Sequence, residues 1–151
     1  MKSVQTIFTL VIAAIISCSS CKKSDSAPAN TVSANDTLTA ALTSGSWVVA
    51  SLTQKKEDNT SKFAGYIFKF SAGGKLTASL NGVETAGSWS YTPAVTYYGS
   101  SSKEAIVINL GADNLFRRVS KTWNIISKSA TSVKMDNPEV LEDEHLQLQK
   151  L

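Results

Sequence analysis

Residues that carry chemistry are scarce in this chain. It has one histidine, His145, and two cysteines, Cys18 and Cys21, both within the first 21 positions. The rest of the chain therefore can hold neither a disulfide framework nor a zinc set built from spaced Cys and His. No Gly-rich phosphate loop or nucleophile elbow occurs. Asp136-Asn137-Pro138-Glu139 is oxygen-rich but lacks the spacing of a calcium loop. His145 stands beside Glu142, Asp143 and Glu144, a run that reads as a solvated loop ahead of a strand. Net charge is only +3, falling to about +2 without Lys2, too little for a dedicated nucleic-acid surface. The sequence thus points to no catalytic residue, no metal and no cofactor.

What is present begins at the N-terminus. Lys2, an apolar run over residues 7–16 and then small residues have the layout of a secretory signal, and that run is too short to span a bilayer as a helix. Ile15-Ile16-Ser17-Cys18 resembles the bacterial lipobox, whereas Ser19-Ser20-Cys21-Lys22-Lys23 resembles the start of many lipoproteins of the Bacteroidetes. Either Cys18 or Cys21 is the expected lipidation site. Residues 1–20 are read as the signal, residues 21–36 as a disordered tether of Ser, Ala, Asn and Lys, and residues 37–151 as one domain. The expected address is the cell envelope, lipid-anchored to the outer membrane. Its periplasmic face is favoured over the cell surface, because Lys22-Lys23 is not a strongly acidic start. Asp25-Ser26-Ala27 and Asp36-Thr37-Leu38 resemble O-glycan acceptors of the same bacteria.

Beyond the tether the pattern is that of strands. Residues 35–37 offer an N-cap, and Leu38, Ala41 and Leu42 share a face before Gly45, which predicts one short helix. Residues 46–54 alternate, with Trp47 and Val49 set against Val48, Ala50 and Leu52; Tyr66, Phe68 and Phe70 share a face. Asn81-Gly82 predicts a type I′ hairpin joining residues 75–80 to 83–92, and Gly87 within the second strand suggests a bulge or bend. Residues 93–103 read as a loop holding Tyr97-Tyr98. Residues 104–110, 121–127, 131–135 and 145–151 read as further strands, with a short helical segment carrying Arg117-Arg118 before the last three. About eight mostly antiparallel strands with short turns suit an all-β, up-and-down barrel.

Gly45-Ser46-Trp47, followed by Gly65-Tyr66-Ile67-Phe68-Lys69-Phe70, Gly87-Ser88-Trp89 and Trp123-Asn124-Ile125-Ile126, resembles the lipocalin-like lipoproteins of Bacteroidetes, with Gly45 and Trp47 as the fold signature. The resemblance implies a lipocalin-like barrel and, by analogy of fold, an apolar small ligand. Lipocalins lay an arginine from a late strand across the signature Trp. Here no arginine follows Arg118, leaving Lys128, Lys134 or Lys150 as substitutes. If Tyr66, Phe68, Phe70, Trp89, Tyr91 and Trp123 point inward, they line an apolar cavity or fill a core. The first outcome is a monomeric, noncatalytic binder of an apolar or amphipathic molecule. The second is an interaction or assembly module with a packed core and no ligand.

Overall fold

The computed structural model describes residues 34–151, with side chains from Thr37 onward. The expected signal, both cysteines, the tether up to residue 33 and Asp25-Ser26-Ala27 lie outside the described residues, as does the side chain of Asp36. Helix α1 (Ala34–Thr43) comes first and starts ahead of the cap expected at residues 35–37. Leu38 and Leu42, about one turn apart, are its buried positions.

Eleven strands follow: β1 (Ser46–Gln54), β2 (Glu57–Asp58), β3 (Ile67–Phe70), β4 (Lys75–Leu80), β5 (Val83–Thr92), β6 (Thr96–Tyr97), β7 (Ser100–Ser101), β8 (Ala105–Asn109), β9 (Thr122–Lys128), β10 (Ser132–Asp136) and β11 (Glu144–Lys150). Eight of them form an antiparallel circuit, β1-β3-β4-β5-β8-β9-β10-β11, and β11 pairs back to β1. The sheet is therefore a closed up-and-down barrel with no free edge in the circuit. Strand β2 only extends the end of β1, and β6–β7 is a separate hairpin. Tyr97 thus lies in a strand, where the sequence reading had a loop.

Two β-bulges correct the predicted alternation. Val49 pairs with Leu148 and Ser51 with Gln147, which leaves Ala50 as an extra residue. Leu52 is thereby turned to the same buried side as Trp47 and Val49 instead of the opposite one. In β9, Lys134 faces Ser127 and Met135 faces Ile125, so Ile126 is extra and exposed. That slip turns Lys128, opposite buried Val133, toward the interior.

Gly87 makes no bulge, since its register with Leu76 is unbroken. Its reason is close approach: a Cβ there would lie 2.1 Å from the Asn109 carbonyl oxygen and 2.9 Å from Leu110 Cδ2. The Asn81-Gly82 turn has φ of 51° and 82°, the positive pair that a type I′ hairpin needs.

Because the strands alternate in direction, the connections sort into two ends. At the α1 end lie the start of β1, the β3–β4 and β9–β10 turns and the β5–β8 loop. At the far end lie the β1–β3, β8–β9 and β10–β11 connections and the Asn81-Gly82 turn. One hydrophobic core runs from Leu38 and Leu42 through the barrel to Phe63, Phe116 and Val119.

Candidate functional site at the two ends of the barrel

The rings singled out in the sequence do share the interior, and they fill it. Phe68 and Phe70 are each 2% exposed, Trp89 6% and Trp123 0%. A side chain that a water-sized sphere barely touches does not border a cavity. Phe70 stands edge-on to Trp89 with centroids 5.4 Å apart, and Phe63 tilts against Phe68 at 6.2 Å. Tyr66 and Tyr91 are half-buried at the margins of this cluster.

Each tryptophan also fastens one connection. Trp47 Nε1 donates to the Leu42 carbonyl at 2.9 Å, tying down the end of α1. Trp89 Nε1 donates to the Ser71 carbonyl at 3.0 Å in the β3–β4 turn, and Trp123 Nε1 to the Val119 carbonyl at 2.9 Å in the β8–β9 connection. Two short 3₁₀ turns, Thr60–Phe63 and Phe116–Arg118, stopper the far end. Their rings meet Tyr66, which is edge-on to Phe116 at 5.5 Å and to Phe63 at 6.1 Å.

Of Lys128, Lys134 and Lys150, it is Lys150 that lies beside Trp47, although no cation–π contact joins the two among the described residues. It pairs in register with Trp47, and its Nζ donates to Ser44 Oγ at 2.8 Å. Its stem passes so close to Gly45 that a Cβ there would be 2.5 Å from Lys150 Cε. The signature glycine therefore makes room for the lysine that seals this end.

Each end also holds an inward carboxylate paired with a lysine. At the far end Glu144 accepts from Gln54 Nε2 at 2.7 Å, from Lys121 Nζ at 2.6 Å and from Asn137 Nδ2. At the α1 end Glu104 accepts from the Tyr91 hydroxyl and from Lys128 Nζ. Burial pushes the Glu144 carboxyl up, but the Lys121 ammonium with Asn137 and Gln54 more than offsets this, leaving it below the usual carboxylate value. Glu104 is likewise raised by burial and brought below the usual value by Lys128 and Tyr91. The Tyr91 hydroxyl is raised, chiefly by burial and then by its bond to Glu104.

The sequence reading takes Lys128 only as a substitute for the late-strand arginine and Glu144 only as part of the solvated run beside His145, and it singles out neither Glu104 nor Lys121. A signal existed for three of them: Glu104, Lys121 and Glu144 each sit two residues before an inward side chain, namely Ile106, Trp123 and Leu146. Lys128 could not be found this way, because the β9 bulge reverses its parity.

Open space lies outside the barrel wall. A groove of about 550 Å³ runs between α1 and the β9–β10 turn, lined mostly by apolar atoms, with Ala40, Ala41 and Ala130 along it, the core side chain Leu38 beneath, and Ser44, Ser129 and Lys128 beside them. A polar cleft of about 510 Å³ at the far end is bordered by Gln54, Glu57, Arg117, Arg118, Lys121 and Glu144, among others. His145 is elsewhere, on the outside, with Nδ1 2.7 Å from Asp136 Oδ1 and Nε2 3.2 Å from Asp143 Oδ1. Among the described residues, no group of three or more His, Cys, Asp or Glu is placed to hold a metal ion.

No protein-family model matches this sequence, and comparison with curated proteins gave no match. Among solved structures, the chain is similar to a lipocalin-like protein from Bacteroides uniformis, at 15% sequence identity and a TM-score of 0.41, over 74% of this chain and 99% of that one.

Proposed function

We propose that this chain is a lipid-anchored, noncatalytic binding protein of the bacterial envelope, and that it takes an apolar or amphipathic small molecule in the groove along α1. The observation that carries this reading is the contrast between a packed lumen and an open groove. The groove volume, about 550 Å³, falls within the usual span for small-molecule sites. Its apolar walls suit a hydrocarbon body, while the hydroxyls of Ser44 and Ser129 at its edge suit a polar head group. Catalysis is left out because Glu104 and Glu144, the inward carboxylates, are each neutralised by a lysine and stand at opposite ends.

In this reading Cys18 or Cys21 carries the lipid, and residues 21–36 are the tether of a monomeric domain on the periplasmic face of the outer membrane. The lipobox-like and lipocalin-like motifs support it. Radiolabelled palmitate fed to the host should label the wild type and be lost in either Cys18→Ser or Cys21→Ser. Label persisting in the double variant would remove the anchor. For the groove, calorimetric titration with dodecanoate should give saturable binding that Ala41→Trp, which fills the groove, weakens at least about tenfold. Undiminished binding in that variant would place the ligand elsewhere.

A second reading, an interaction module with no ligand, is favoured by the packed core and by exposed apolar side chains. Tyr98 is 92% and Leu141 93% exposed. No uptake of dodecanoate, together with a protein partner released by Tyr98→Ser or Leu141→Ser, would select it.

A further inference from the structure

The far-end cleft has a charge arrangement that the groove reading does not use. Its three carboxylates are not equally free: Glu144 is bound by Lys121, and Glu142 lies 3.4 Å from Lys55. Glu57 remains, facing two guanidinium groups, Arg117 and Arg118, so the cleft has an uncompensated positive charge. A guanidinium has five N–H donors. Arg118 donates one from a terminal nitrogen to Gln54 Oε1 at 2.7 Å, and among the described residues no other protein acceptor engages its side chain or that of Arg117.

The hydrogen bonds behind Arg118 form a relay that anchors one terminal nitrogen of its guanidinium. Lys121 and Asn137 hold the Glu144 carboxylate, Glu144 takes the Gln54 amide N–H, and this turns the Gln54 oxygen out to the guanidinium. Arg117 adjoins it on the same 3₁₀ turn, which is stoppered below by Phe116 and tied by the Trp123 bond to Val119. A pre-set fork beside a second, uncommitted guanidinium is an arrangement that matches a planar or tetrahedral oxyanion.

We propose that this cleft is a second binding site, for a small molecule bearing an oxyanion, which Arg118 and Arg117 contact directly and which Gln54 serves as a positioning residue. A carboxylate and a phosphate would be held by the same forks.

The test is a titration of the isotope-labelled protein with inorganic phosphate and, separately, with citrate at low ionic strength, followed by NMR. Saturable shifts are expected at the Arg118 guanidinium and the Gln54 amide with at least one of the two anions, and the anion that binds tighter identifies the class. Arg118→Ala should weaken binding about tenfold or more, the loss of a charge-assisted bond. Arg117→Ala should weaken it severalfold, with the melting temperature nearly unchanged because that side chain makes no hydrogen bond or ion pair among the described residues. Gln54→Leu should weaken binding while both guanidinium groups remain, and added salt should reduce it in every protein. Absence of saturable shifts with both anions would overturn the proposal, as would affinities indifferent to Arg117→Ala and Arg118→Ala.

Discussion

The two ends of the barrel solve one problem with different parts. Both must close a column of apolar side chains, and both do so with a tryptophan N–H bonded to a connection and a lysine paired with an inward carboxylate. At the α1 end the cap is a helix laid across the opening, whose outer side leaves an apolar groove. At the far end the caps are two 3₁₀ turns with aromatic plugs, and the groups around them are charged. The difference is also one of burial: the Glu144 side chain is 8% exposed and that of Glu104 21%. A carboxylate more withdrawn from water needs more partners, and Glu144 has three side-chain donors where Glu104 has two. The apolar groove thus lies at one end and the charged cleft at the other.

The largest effects should come from removing the fasteners. Trp47→Ala and Trp123→Ala should each cost about 3 to 5 kcal/mol in urea unfolding, through the cavity left behind and the orphaned carbonyl. Equal costs would support equivalent closure; a cost below about 1 kcal/mol at either would show that its end is not held by the ring.

Next come the carboxylates. Glu144→Ala leaves Lys121 unpaired together with the Gln54 and Asn137 amide donors and should cost about 3 kcal/mol, against about 1 kcal/mol for Glu104→Ala at the more hydrated end. The reverse order would break the comparison. Acid should sharpen it. Both carboxyls are held below their unfolded value, so their contribution is complete above about pH 4.3 and is lost as pH falls through the folded values. The stability gap between wild type and Glu144→Gln should therefore narrow from about pH 5 to about pH 3. A constant gap would mean that the charge of Glu144 is not what stabilises.

His145 should give the smallest effect. Its pKa is raised by Asp136 first, against a smaller effect of burial, with help from Asp143, so its contribution is present below about pH 6.5 and fades as pH rises through the folded value. The ring is more than half exposed, which limits this to a few tenths of a kcal/mol at most. His145→Gln should flatten that part of the stability profile and nothing else.

The barrel itself was legible because period-two patterning and the Asn81-Gly82 turn are local signals, and each of the eight barrel strands lies within a residue or two of its expected span, whereas the two-residue strands β2, β6 and β7 fall in segments read as a turn or a loop. The inward placement of Phe68, Phe70 and Trp89 was legible for the same reason. What could not be read was parity across the bulges at Ala50 and Ile126, because an extra residue is set by the partner strand. The packing of the lumen was equally hidden, since it depends on how rings from four different strands and two connections meet. The pairing of Lys128 with Glu104 and the plug of Phe63 and Phe116, both consequences of those long-range contacts, were missed accordingly.

The most direct test of the account is methyl NMR of the protein titrated with dodecanoate. Saturating shifts at Ala40, Ala41 and Ala130, with Leu76, Ala78 and Ile106 unmoved, are the expected result. Shifts concentrated at Leu76, Ala78 and Ile106 would contradict it, because the barrel would then open to admit the ligand between Phe68, Phe70 and Trp89.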